Sequence, residues 1–130
     1  MKKIIETKNA PAPIGPYSQA VEAGDFLFIS GQIALDPETN NLVTASIEEE
    51  TKQVMKNLEA ILTQAGYSFK NVVKSTIFLS AMDHFSTVNE IYGSYFEANF
   101  PARETVAVAG LPKNVNVEIS VIASKASIIL

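Results

Sequence analysis

Apolar positions follow two rhythms along this chain. In residues 46–65 they recur every three to four positions, which predicts a helix: Ile47, Thr51, Val54, Met55, Leu58, Ile61, Leu62 and Ala65 fall on one stripe. Ser46 with Glu49 three residues on reads as a capping box, and Gly66 follows as a left-handed stop. Glu48, Glu49 and Glu50 suit the positive start of that helix and read as a solvated first turn. Residues 83–99 predict a second helix, with Phe85, Val88, Ile91, Tyr92, Tyr95 and Phe96 inward, ended before Pro101.

The other rhythm is that of strands. Residues 2–7 predict a short edge strand, and residues 17–23 and 26–33 predict two more, joined by the two-residue turn Gly24-Asp25. Residues 71–79 predict a further strand, with Val73, Ser75, Ile77 and Leu79 on one side and Val72, Lys74, Thr76 and Phe78 on the other. Between residues 9 and 16 three prolines and a glycine exclude regular structure and deliver Tyr17 from a rigid loop.

Residues 101–122 hold the chain's most informative pattern. They predict a β-hairpin, with strands at 104–109 and 115–123 and a turn at 111–114. If Gly110 and Val115 close the turn, Ala107 lies opposite Glu118. One face is then Val106, Val108, Val117, Ile119 and Val121, a core face. The other carries Arg103, Thr105, Ala107, Ala109, Asn116, Glu118, Ser120 and Ile122. The order is therefore ββ(β)αβαββ: one α+β domain over residues 1–130, a five- to six-stranded sheet with two helices on one face. The mixed second face is too apolar for water and too polar for a dry core, which predicts an oligomer interface with polar pockets.

Composition narrows the function. A net charge of −4 argues against nucleic acid as the main partner. No cysteine is present, hence no disulfide, no thiolate nucleophile and no Cys-based zinc site, and one histidine makes a His-rich metal centre a poor reading. No signal-peptide pattern opens the chain and no apolar run is long enough to span a membrane, so a cytoplasmic protein is expected.

Two charges then stand out. Nine lysines carry the rest of the positive charge, yet Arg103 is the only arginine. Its planar two-pronged donor fits a substrate carboxylate or, equally, a structural salt bridge to a nearby glutamate. Glu118 sits among Val115, Val117, Ile119 and Val121, where a carboxylate is either paired or has a shifted pKa. It reads as a group that deprotonates a water, or as a partner of Arg103. On the hairpin register the two are roughly 13 Å apart, which leaves room for a small substrate between them. Gly31, in Ser30-Gly31-Gln32, lets a ligand approach the backbone. Tyr17, Ser30 and Asn89 are weaker candidates, and His84 reads as a capping or surface residue.

Taken together these residues resemble the Rid family of enamine/imine deaminases along nearly the whole chain. The likeness is carried by A-P-x-x-I-G-P-Y-S-Q-A from Ala10 to Ala20, I-S-G-Q-I from Ile29, D-x-F-x-x-V-N from Asp83, and Y-x-x-Y-F from Tyr92. F-P-A-R ending at Arg103 and V-E-I around Glu118 complete it. The resemblance implies a chorismate-mutase-like fold assembled as a homotrimer, with its sites in clefts between subunits. It implies hydrolysis of reactive 2-enamino and 2-imino acids, such as 2-aminoacrylate and 2-iminopropanoate, to 2-keto acids and ammonia, without cofactor or metal. By position, Arg103 would clamp the carboxylate, Glu118 would activate water, and the backbone around Gly31 and Thr105 would hold the imine end. Tyr17, Ser30 and Asn89 would line the cleft. Two departures stand out: many members carry Cys where this chain has Thr105, and a small residue where it has Glu104. A non-catalytic keto-acid-binding or regulatory trimer is the alternative reading, and a ribonuclease a third that the acidic composition does not favour.

Overall fold

A computed structural model of the chain describes residues 1–126. The first helix, α1 (Ile47–Ala65), forms as its stripe demands: Ser46 Oγ accepts from the Glu49 N–H at 3.1 Å, and Gly66 stops it at φ 83°. Val54, Met55, Leu58, Ile61 and Leu62 are fully buried, each worth about 2 kcal/mol in transferred apolar surface, which far outweighs propensity in holding the helix. One part of its first turn departs from expectation. Glu50 is not solvated; it is fully buried, and its carboxylate accepts from the Asn116 and Val117 N–H groups and from Asn116 Nδ2.

Six strands form one mixed sheet: β1 (Lys2–Ile5), β2 (Ala20–Ala23), β3 (Phe26–Gln32), β4 (Val72–Leu79), β5 (Ala102–Ala107) and β6 (Val117–Ser124). Their spatial order is β1-β2-β3-β6-β4-β5. The Gly24-Asp25 turn joins β2 to β3 as its length requires, with Ala23 paired to Phe26 and Gly24 at φ 59°. The second helix, α2, is shorter than the aromatic stripe predicts. It spans Phe85–Gly93, preceded by a 3₁₀ turn at Met82–His84, and Gly93 and Ser94 close it. Tyr95 and Phe96 still pack inward, from irregular backbone against Phe69.

The predicted hairpin does not exist. β5 and β6 do not touch as strands; β4 runs between them, parallel to β5 and antiparallel to β6. The β4–α2–β5 segment is a crossover unit, and a helix between two strands delivers them side by side and parallel. Residues 108–116 then carry the chain across the end of β4, held by Val108 N–H to Leu79 O (2.9 Å) and Ser80 N–H to Asn116 O (3.0 Å). That connection is also longer than the two to five residues of ordinary hairpin loops.

This pairing reverses the predicted faces of one strand and keeps those of the other. On β6, Val117, Ile119 and Val121 are buried under the helices as expected. On β5, Arg103, Thr105 and Ala107 pair with Ser75, Ile77 and Leu79, so they share the helix face, while Val106 points to the open face and is 46% exposed. A bulge at Val73 shifts β4 as well: Val72 is buried and Val73 exposed, the reverse of simple alternation, and the expected pattern holds from Ser75 onward.

Both helices cover the same side of the sheet. Ile4, Phe26, Phe28, Val73 and Val106 remain 44–46% exposed on the other, a row of large apolar side chains that a water-facing surface does not explain.

Candidate active site

Arg103 projects from β5, the edge strand, toward α2. Its Nη1 donates to Asn89 Oδ1 at 2.7 Å, and its guanidinium lies 5.2 Å from the Tyr92 ring centre and 5.7 Å from that of Phe85. The Tyr92 hydroxyl in turn donates to Ser75 Oγ at 2.8 Å, which fixes the ring that supports it. No carboxylate pairs with Arg103 among the described residues, so the salt-bridge reading falls for this chain taken alone. Asn89, Tyr92, Gly93, Phe100, Pro101 and Arg103 line a cleft of about 470 Å³, large enough for a small organic acid. A fixed, unpaired guanidinium on the wall of a cleft is a ready carboxylate receptor.

Thr105 stands two residues further along the same face. Its Oγ1 is buried without a hydrogen-bond partner, the one such side-chain atom among the described residues. A thiol in that place would leave less polarity unsatisfied. Glu104 points the opposite way, onto the open face, and forms an ion pair with Lys74 Nζ at 3.1 Å. Its charge is therefore both screened and on the far side of the sheet from Arg103.

Glu118 belongs to a second group on that open face. It pairs with Phe78 of β4, and its carboxylate lies against Gly31, where β3 bulges between Ile29 and Gln32. Half-burial pushes its pKa up, with desolvation as the cause. No described side chain or backbone N–H donates to it. Ser30 does not offer its hydroxyl freely: Oγ donates to Ser18 O at 2.6 Å, and its N–H donates to Gln19 O. Tyr17 leaves the proline-rich loop half-exposed and shares a small recess with Gly31.

That loop is held by a residue the sequence reading passed over. Gln19 is buried, accepts from the Thr7 N–H at 2.7 Å, and turns its amide toward the carbonyls of Thr7, Ala10 and Pro11. A glutamine directly after a proline-rich run, where backbone donors are scarce, is the signal that could have found it.

The seven candidate residues thus fall into two groups. Arg103, Asn89 and Thr105 lie on the helix side of the sheet edge; Tyr17, Ser30, Gly31 and Glu118 lie at the bulge, with Glu118 on the open face. Two strand spacings and a three-residue offset separate Arg103 from Glu118, roughly 14 Å between Cα atoms, with side chains pointing to opposite faces. The expectation that both share one face is overturned. Within one chain they cannot hold one small substrate.

The geometry has close relatives. The endoribonuclease L-PSP family profile matches residues 7–125. A protein of the conserved Rid family from Yersinia pestis, solved as a crystal structure, superposes with a TM-score of 0.93 at 51% identity, over 95% of this chain and 99% of that one. The chain belongs to the Rid family. A mouse relative named 2-iminobutanoate/2-iminopropanoate deaminase is 51% identical over 95% of this chain and 91% of its own. E. coli TdcF, crystallised with bound serine, has a TM-score of 0.91 and 40% identity, covering 95% and 99% of the two chains. The two helices on a six-stranded mixed sheet are the fold this chain shares with those two crystal structures. No helix among the described residues is long and apolar enough to cross a membrane.

Proposed function

We propose that this Rid protein is a cofactor-free enamine/imine deaminase, hydrolysing small 2-imino acids such as 2-iminopropanoate to the 2-keto acid and ammonia. What carries the reading is a pair of opposite charges, both fixed and neither ion-paired among the described residues: Arg103 on the wall of its cleft and Glu118 at the bulge. The deaminase name of a relative at half identity supports the reaction, and serine bound to a 40% identical relative supports a ligand of amino-acid size.

In the proposed reaction Arg103 binds the substrate carboxylate through two N–H donors. Glu118 takes a proton from water as the hydroxyl adds to C2, which turns the C=N bond into a carbinolamine. That proton returns to the nitrogen to complete the carbinolamine; the carbinolamine's hydroxyl proton then passes through Glu118 to the same nitrogen, and the C–N bond breaks as C=O forms, releasing ammonia. Because Arg103 and Glu118 occupy opposite sheet faces, they meet only if two subunits build each cleft. The exposed apolar row on the open face supports an assembly whose sheets pack inward, which we read as a homotrimer in the cytoplasm.

Glu118 must be ionised to act as a base. Its raised pKa therefore moves the acid limb of kcat/KM upward from where an ordinary carboxylate would put it, and activity falls as pH drops through that limb. The same shift has a stability sign. The protonated form is favoured by folding, so its contribution is complete below the ordinary carboxylate pKa and is lost as pH rises through the folded one. Glu118→Gln should abolish activity while making stability less dependent on pH in that window.

The test couples a serine or threonine dehydratase to this protein in the presence of semicarbazide. An active deaminase diverts the imine and lowers semicarbazone formation, and Arg103→Ala should weaken that diversion by about 10²–10³-fold. If the wild-type protein diverts nothing yet binds a 2-keto acid by calorimetry, the non-catalytic binding reading takes its place. The endoribonuclease name of the family profile has little physical support here: a chain of charge −4 with a single arginine offers no basic track for a phosphate backbone.

A further inference from the structure

Gly31 poses a question that its backbone does not answer. Only Gly24 and Gly66 among the glycines have positive φ, so Gly31 sits in a conformation open to any residue. Space is the difference. A Cβ at Gly31 would lie 2.8 Å from Cδ, 2.9 Å from Oε2 and 3.0 Å from Cγ of Glu118, closer than van der Waals contact allows. The bulge between Ile29 and Gln32 is itself pinned, by Ser30 N–H to Gln19 O (3.0 Å), Ser30 Oγ to Ser18 O (2.6 Å) and Gln32 Nε2 to Ser30 O (3.1 Å). The missing Cβ is therefore a fixed feature that the glutamate lies across.

We propose that Gly31 is a positioning residue for Glu118, its bare Cα forming the seat that fixes where the carboxylate stands. No described group donates a hydrogen bond to the Glu118 carboxylate, so shape does that work. Phe78 flanks it on β4, and the pinned bulge flanks it on β3. The ionisable groups on the same face are few: Lys2 of β1, Lys74 of β4 and Glu104 of β5, the last two paired with each other, while β2 and β3 place none there. Lys113, in the turn between β5 and β6, lines the recess beside Gly31. A carboxylate displaced from this seat moves toward solvent or toward Lys113, and either brings its titration back toward the ordinary carboxylate value.

The atoms a Cβ would meet are the far end of a flexible side chain, so Gly31→Ala should fold while moving the glutamate. The kinetic arm of the test rests on the deaminase reading; the spectroscopic arm does not. Carbon-13 NMR of the Glu118 carboxyl in the intact protein should show its titration midpoint in Gly31→Ala moved toward the ordinary carboxylate value. An unchanged midpoint overturns the proposal, whether or not the protein is an enzyme. In the dehydratase-coupled assay Gly31→Ala should lose about a hundredfold in kcat/KM, as expected for a reacting group displaced by about 1 Å. Against Glu118→Asp, whose shorter side chain leaves room for the methyl group, the same substitution should cost less than about twofold. An equal penalty in both backgrounds would mean that the methyl blocks substrate instead, and would sink the idea.

Discussion

Replacing Glu50 with alanine is expected to lower the unfolding free energy by about 4 kcal/mol, near the upper end for any single substitution. Its Oε2 accepts from the Asn116 N–H at 2.7 Å and the Val117 N–H at 2.9 Å, and its Oε1 from Asn116 Nδ2 at 3.0 Å. Hydrogen bonds to a charged acceptor are worth about 1.5–3 kcal/mol each, and no cation shares this carboxylate among the described residues. Alanine would take the acceptor from two backbone N–H groups and an amide, leaving the buried Val117 N–H without a partner and the two donors of half-buried Asn116 poorly served. Glutamine should cost about half as much, because one oxygen remains for the two backbone donors while its NH₂ opposes Asn116 Nδ2. Urea denaturation measures the free energies directly. Calorimetry should show a fall in Tm of about 10–15 °C for the alanine variant. A loss under about 1 kcal/mol would show that these bonds are readily replaced by water. Glu118 follows Val117 immediately, so the same clamp sets the strand that carries the proposed base.

Mixing two inactive variants should restore activity. Arg103→Ala lacks the proposed carboxylate receptor and Glu118→Gln the proposed base, and each variant alone should retain less than about 1% of wild-type kcat/KM. Because the two residues lie on opposite sheet faces, the proposed assembly has each cleft draw one from each of two subunits. In trimers reassembled from equal amounts, a cleft is intact when its arginine comes from a Glu118→Gln subunit and its glutamate from an Arg103→Ala subunit. That probability is one half times one half, so about a quarter of wild-type activity should return. The readout is the dehydratase-coupled assay after co-refolding, with light scattering to confirm the trimer. Activity that stays at the level of the parents, from mixed trimers shown by mass to contain both chains, would place Arg103 and Glu118 in separate sites. The intersubunit cleft would then have to be abandoned.

Much of the molecule was legible in the order of its residues. The span of α1, with Ser46 and Gly66 at its ends, follows from periodicity and capping, because both are local. The Gly24-Asp25 hairpin is local too, and the inward set of β6 follows from strict alternation over Val117, Ile119 and Val121. Arg103 and Glu118 attracted attention by chemistry alone, as a solitary guanidinium and a carboxylate in a branched apolar strand. The family motifs around Tyr17, Ser30, Asn89, Arg103 and Glu118 marked the candidates for the site.

What the residue order did not determine was which strands meet. Residues 104–109 and 115–123 look like neighbours because they are consecutive. Whether β4 enters between them depends on the crossover through α2, an arrangement of the whole sheet. That single choice moved Arg103 and Thr105 to the helix face, left Val106 exposed, and parted the arginine from the glutamate. The bulges at Val73 and at Ser30–Gly31 were equally hidden, since one extra residue reverses side-chain parity without leaving a mark in composition. Glu50 looked like an ordinary acidic helix start, and only the return of Asn116 and Val117 over it makes it a buried clamp. Local chemistry selected the residues worth watching; long-range pairing decided which of them one subunit can bring together.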